Sequence, residues 1–187
     1  ETDTVKCKMS SMGIVLKRRD NPPILKYIYG EIIDEIMLNK NLNGAIESLH
    51  KNIEGMLKGE FPLEYFILSK CLKTKYENPE TIVHKVLADR IADRGGTKAL
   101  PNDRIPYVYF DIGDKKVNLQ GDRVEDPQYI RDNNLKVDYG HYIDKQLCNP
   151  IGQIFSLTIE SLPQYKKPKD YFTKKETILL KADTYKD

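Results

Sequence analysis

Ile105-Pro106-Tyr107-Val108-Tyr109-Phe110-Asp111-Ile112 is the stretch on which the fold class turns. Aromatic and β-branched residues crowd it, and such a run reads as a strand. Gly113-Asp114 follows and suits the centre of a type II′ turn, so Lys115 to Leu119 is expected to return as the second strand of a hairpin. Upstream the period is helical. After Asp20-Asn21 and Pro22-Pro23, apolar residues fall at Leu25, Ile28, Tyr29, Ile32, Ile33, Ile36 and Met37. That spacing, behind an Asp/Asn-Pro start, predicts a helix over 22–38. Ile46, Leu49, Ile53, Met56 and Leu57 predict a second over 44–58, with Gly59 as its C-cap. Tyr65-Phe66-Ile67-Leu68 reads as a short strand or extended entry. Asn78-Pro79 opens a third expected helix, striped by Ile82, Val83, Val86, Leu87 and Ile91 and stopped at Arg94-Gly95-Gly96. Ile14-Val15-Leu16 reads as a brief strand before the first helix, Asp126-Pro127 as the start of a short helix, and 139–148 and 150–162 as two further helical runs. The expected class is α+β, mainly helical, with one β-hairpin.

Composition narrows the function classes. The chain has 187 residues, with 30 Lys+Arg against 28 Asp+Glu, a formal charge of +2 and a hydrophobic fraction of 40%. That length buries a real core, and the balance excludes a disordered, collagenous or disulfide-scaffold chain. No apolar run approaches the roughly 20 residues of a membrane span. Cys7, Cys71 and Cys148 lie far apart, without Cys-x-x-Cys spacing, which reads as free thiols of a reducing, intracellular compartment. The chain opens on Glu1 rather than Met, for which a fragment is the simplest expectation. The stretch from Gln164 is rich in Lys and is expected to form a loosely held basic tail over 163–187.

A net charge of +2 does not by itself advertise nucleic acid, so any such reading rests on where the charges sit. Lys17-Arg18-Arg19 is the strongest local basic feature, between an expected strand and a helix start. Strand alternation would send Lys17 and Arg19 to one side and Arg18 to the other. Paired cations of this kind suit phosphates or carboxylates, although three basic residues in a row are also an ordinary solvated face. On the third helix, His84 and Arg94 share a face, with Lys85 and Arg90 near it and Asp89 and Asp93 diluting the charge. An ion-paired helix surface is the competing reading. His50, His84 and His141 fall in no metal-ligand spacing with the cysteines, and no nucleophile motif or phosphate-binding Gly loop is present. Three acids in Gly121-Asp122-Arg123-Val124-Glu125-Asp126 suggest a helix start better than a metal site.

Four motifs in order carry a family resemblance. Met12-Gly13-Ile14-Val15-Leu16-Lys17-Arg18-Arg19-Asp20-Asn21 resembles the junction of palm and thumb in family B DNA polymerases of the delta-like and large-virus type. His84-Lys85-Val86-Leu87-Ala88-Asp89-Arg90 is similar to the thumb's Leu-Ala-x-Arg segment, and Asn102-Asp103-Arg104-Ile105-Pro106-Tyr107-Val108 to its Gly-Asp-Arg-Val-Pro-Tyr-Val strand. Glu125-Asp126-Pro127, then Asp138-Tyr139, Tyr142-Ile143, Gln146-Leu147 and Ile154-Phe155, resemble its C-terminal helices. The resemblance covers about residues 1–160 and implies a palm end over 1–21 followed by a thumb over 22–162, a helical bundle carrying a β-hairpin.

The family's catalytic motifs, Asp-x-x-Ser-Leu-Tyr-Pro, Tyr-Gly-Asp-Thr-Asp and Lys-x-x-x-Asn-Ser-x-Tyr-Gly, do not occur in this sequence. The resemblance therefore implies a C-terminal piece of a DNA-directed DNA polymerase with no catalytic residue and no metal ligand of its own. Mg2+ would belong to the parent enzyme's template-directed nucleotidyl transfer. The cysteine pairs that follow the thumb in cellular delta-type enzymes are also missing, as in a viral-type ending or a truncation. The implied partners are primer-template duplex DNA, the palm, fingers and exonuclease domains, and a processivity factor, with no membrane. The implied setting is the nucleus or a cytoplasmic viral replication site. Candidate DNA contacts are Lys17, Arg18, Arg19, His84, Lys85, Arg90, Arg94 and Arg104. Tyr139 and Tyr142 either reach the sugar-phosphate backbone or sit in the core. The alternative is a non-catalytic, thumb-derived module that binds DNA or a replication partner.

Overall fold

The computed structural model describes residues 15–113 and 119–160. Helix α1 (Pro23–Ile33) starts as the Pro22-Pro23 signal predicts, with Pro at its first turn, and runs on through a wide π turn over Asp34–Leu38. Asn41 caps α2 (Leu42–Leu57) by accepting from the Gly44 N–H at 3.0 Å. Gly59, at φ 73°, ends that helix in the left-handed region that glycine enters without a Cβ penalty. The two helices pair through Ile24, Leu25, Ile28 and Ile32 against Ala45, Leu49 and Met56, all buried. Each such aliphatic side chain contributes about 1.5–3 kcal/mol on burial. One polar clamp joins the same helices: Glu31 accepts from Ser48 Oγ at 2.9 Å and from Asn52 Nδ2 at 2.6 Å, which satisfies the buried Asn52 amide.

A three-stranded antiparallel sheet follows, in the order β1 (Leu68–Cys71), β2 (Arg104–Tyr109), β3 (Val124–Glu125). Leu68 pairs with Tyr107 and Cys71 with Arg104, while Val108 pairs with Glu125 and Tyr109 with Val124. Helix α3 (Val83–Asp93) packs on β2, burying Leu87 and Ala88. Asp126 caps α4 (Pro127–Asp132) by accepting from Gln128 N and Tyr129 N at 2.8 and 3.2 Å. The chain closes on α5 (Tyr139–His141), a π turn over Tyr142–Leu147 and α6 (Cys148–Glu160). The protein is thus mainly helical with one small sheet.

Several expectations need correction. Val15–Lys17 is a 3₁₀ turn, not a strand. The Val15 carbonyl accepts the Asn21 side-chain amide at 3.1 Å, which satisfies it without a strand partner. The expected alternation of Lys17, Arg18 and Arg19 therefore does not apply. The third helix begins at Val83 rather than Pro79: a 3₁₀ turn over Pro79–Thr81 ends at Ile82, which is extended. Thr81-Ile82-Val83 is a β-branched run, whose stiff χ1 disfavours helix. Strand β2 has two strand neighbours among the described residues. Its neighbours are the distant β1 and β3, and Phe110 bridges to Val137. Most of the expected return strand, the N-terminal residues 1–14 and the tail over 163–187 lie outside the described residues. The two runs expected over 139–148 and 150–162 are continuous from Tyr139 to Glu160. Pro150 is accommodated directly after a widened π turn, where a helix has room for a ring that lacks an N–H.

Candidate functional site

Lys17, Arg18 and Arg19 are all exposed, immediately before α1. Asp20 gathers the charges around them. It accepts from Lys70 Nζ at 2.7 Å and from Arg18 Nε at 3.3 Å. The Lys70 ammonium, then the Arg18 guanidinium, hold its carboxyl far below the usual carboxylate range. Arg104 reaches the same place from β2. Its guanidinium donates to the Ser69 carbonyl at 2.8 Å, to Ser69 Oγ at 3.0 Å and to the Arg19 carbonyl at 3.4 Å. Strands β1 and β2 are therefore stapled to the segment preceding α1. Lys17 and Arg19 make no ion pair among the described residues, so their charges face outward. Lys70 belongs to this cluster, and sequence reading missed it because a lone Lys on a four-residue strand carries no local signal.

The basic residues of α3 have a different setting. Arg90 Nη1 donates to the Val124 carbonyl at 2.9 Å and to Glu125 Oε1 at 3.0 Å, and its Nη2 donates to the Gly121 carbonyl at 2.8 Å. Arg94 grips Glu125 in a fork, at 2.8 and 3.1 Å, and stacks 4.2 Å over the Tyr129 ring. Glu125 itself is only 3% exposed, so both guanidinium groups are tied to a buried carboxylate. Gly121 lets this loop close on α3: an added Cβ would lie 2.9 Å from Val86. Lys85 holds both Asp89 oxygens at 2.5 Å. His84 shares a hydrogen bond with Tyr76 Oη at 3.0 Å, and burial keeps it below its ordinary pKa.

Tyr142 is fully buried, which removes it from any surface contact. Its hydroxyl donates to the Phe66 carbonyl at 2.5 Å and accepts the Tyr109 N–H at 3.1 Å, tying the α2–β1 connection to β2. Tyr139 is half-buried, edge-on to Phe66 at 5.3 Å, and lines an open groove of about 660 Å³ with Gly59, Phe61 and Lys136. Nearby, Asp138 accepts from Arg123 at 2.6 Å and caps the helix carrying His141, whose ring stacks on Tyr109 at 3.7 Å. Burial holds His141 down to about 4. Among the described residues no group of three His, Cys, Asp or Glu side chains is arranged to hold a metal ion, and no helix is long and apolar enough to cross a membrane. The structure thus brings Lys17, Arg18, Arg19, Lys70 and Arg104 together and leaves Arg90 and Arg94 in a separate, internal network.

Comparison with known proteins agrees with this arrangement of motifs. The sequence model of DNA polymerase family B matches residues 1–158. A DNA polymerase of Acanthamoeba polyphaga mimivirus is 49% identical over 82% of this chain, which spans 9% of that protein. A DNA polymerase of Pyramimonas orientalis virus is 43% identical over 96% of the chain, which spans 15% of that protein. The DNA polymerase delta catalytic subunit of Plasmodium falciparum is 32% identical over 82% of the chain and is matched over 14% of its own length. In fold, the chain resembles the family B DNA polymerase of Pyrobaculum calidifontis, with a TM-score of 0.56 at 20% identity, covering 79% of this chain and 19% of that one. With a family model matched across most of its length, the chain belongs to DNA polymerase family B.

Proposed function

We propose that residues 1–21 end the palm and residues 22–162 form the thumb of a DNA-directed DNA polymerase, and that this part grips the primer-template duplex during template-directed deoxynucleotidyl transfer. The observation that carries the reading is the outward-facing Lys17-Arg18-Arg19 segment, braced by Lys70 on Asp20 and by Arg104 on the Arg19 carbonyl, in a family B chain. Cations held at a fixed junction suit the phosphate backbone, and backbone contacts position a duplex without reading its sequence. Copying any sequence requires such indifference.

Nucleotidyl transfer uses two metal ions held by carboxylates. In this reading the Mg2+ sites belong to the parent enzyme's other domains, which are also this part's structural partners. A processivity factor and an intracellular replication site complete the proposal. The DNA-facing set is Lys17, Arg18, Arg19 and Arg104. Tyr139, at the rim of its groove, is secondary, and Arg90, Arg94, Lys85 and His84 support the fold.

Fluorescence anisotropy of a labelled duplex tests this reading. Lys17→Ala and Arg19→Ala should each flatten the log–log salt slope by about 0.9, the contribution of one phosphate contact. The urea midpoint should not move, because exposed charges contribute little to stability. Unchanged slopes in both variants would remove the junction from the interface.

A further inference from the structure

Beyond the junction, the segment after β1, one flank of α3 and the segment after α3 enclose a pocket of about 170 Å³. Lys73, Lys85 and Lys98 line it, with Thr74 and Asp89, over an apolar floor that includes Leu72 and Ala88. Lys73 and Lys98 are exposed and make no ion pair among the described residues, whereas Lys85 is held by Asp89. The backbone carrying the lysines is fixed. Leu72 N donates to the Asp103 carbonyl and Asn102 N to the Leu72 carbonyl, both at 2.9 Å, and Leu100 N donates to Asp103 Oδ2 at 2.7 Å. The other flank of α3 is more acidic: Glu80, Asp93 and Asp122 line a groove there with Arg90, and Asp89 lies between the two sides. A polyanion approaching α3 therefore meets attraction on one side only. Lys73 also lies three residues beyond Lys70 along an extended segment, about 10 Å at roughly 3.3 Å per residue. That distance corresponds to about three nucleotides at about 3.4 Å of axial rise per strand.

We propose that Lys73 and Lys98, beside the Asp89-held Lys85, bind backbone phosphates of the duplex, extending the junction's grip along β1 to α3. The inference rests on the proposed DNA-gripping role and adds a site to it. Lys70 and Lys73 add to burial in holding His84 down, consistent with a positive potential beside the pocket. Asp89 is the one carboxylate lining it and opposes an incoming anion.

Anisotropy titrations of the chain with a labelled duplex at 50–200 mM salt provide the test. Lys73→Ala and Lys98→Ala should each flatten the slope by about 0.9, so that the ratio of wild-type to variant affinity shrinks about 3.5-fold across that range. Asp89→Asn should do the opposite and tighten binding at 50 mM by about threefold, the effect of one unit charge removed roughly 6 Å from a phosphate in water. A misfolded variant would not bind more tightly, so that gain separates an electrostatic role from a structural one. If the chain binds with a steep slope while all three variants match wild type, the pocket is overturned and the junction reading stands. If the chain does not bind the duplex at all, the gripping role falls and the pocket with it.

Discussion

Glu125→Ala removes the carboxylate on which Arg90 and Arg94 converge, and is expected to destabilise the chain by about 2–4 kcal/mol. Breaking a buried ion pair from one side costs about 3–5 kcal/mol, because the remaining charge stays desolvated. The Glu125 side chain is 5% exposed and accepts three guanidinium bonds of 2.8–3.1 Å, which places it in that class. The figure is reduced because the Arg94 side chain is 40% exposed and keeps its stack on Tyr129, while Arg90 keeps the carbonyls of Gly121 and Val124. Arg90→Ala leaves those two carbonyls and one carboxylate oxygen short of a donor, so about 1–3 kcal/mol should follow. Urea unfolding followed by far-UV circular dichroism measures both, since the chain has no Trp. A shifted midpoint at constant m is the expected signature. An Arg90→Ala protein that unfolds at the wild-type midpoint, yet loses about one unit of salt slope on duplex DNA, would refute the assignment of Arg90 to the fold and restore it to the DNA surface.

Tyr142→Phe strips a donor from the Phe66 carbonyl and an acceptor from the Tyr109 N–H, so stability should fall by about 1–3 kcal/mol with duplex affinity unchanged for the folded fraction. Acid should weaken the fold through His141, which burial holds at about 4 against an ordinary 6.5. The unfolded chain takes the proton first. Stability is therefore full above about pH 6.5 and falls as pH drops towards 4, by at most about 3.4 kcal/mol at 1.36 kcal/mol per unit and by less where solvent screens the ring. His141→Gln should flatten that pH dependence in urea midpoints, and an unaltered profile would count against it.

The helices were legible because their signals are local. Leu25, Ile28 and Ile32 recur at helical spacing and are buried, while Asp126, Gly59 and Gly95 mark ends by their own chemistry. The end of α1 shows the limit: Met37 continues the stripe yet is 64% exposed, since the π turn rotates it off the core face. Strand β2 was legible as a strand, but not its partners. Val124–Glu125 is two residues long, and Leu68–Cys71 lies more than thirty residues away, so neither pairing has a local signature. The same distance hid the fate of the charges. Arg90 and Arg94 read as a charged helix face until Glu125, 35 and 31 residues on, arrives in three dimensions. Conversely, Lys73 and Lys98 look like scattered surface lysines until the sheet brings them into one pocket with Lys85.

Salt dependence of duplex binding tests the gripping role most directly. With Arg18 and Arg104 already engaged by Asp20 and Ser69, Lys17 and Arg19 at the junction and Lys73 and Lys98 at the pocket offer about four phosphate contacts. The log–log slope should then be about −3.6, roughly a hundredfold loss of affinity between 50 and 200 mM salt. Two duplexes of unrelated sequence should give the same curve, with dissociation constants in the non-specific range of about 10⁻⁴–10⁻⁶ M. A flat salt response, or a marked preference for one duplex, would contradict a sequence-blind grip on the DNA backbone.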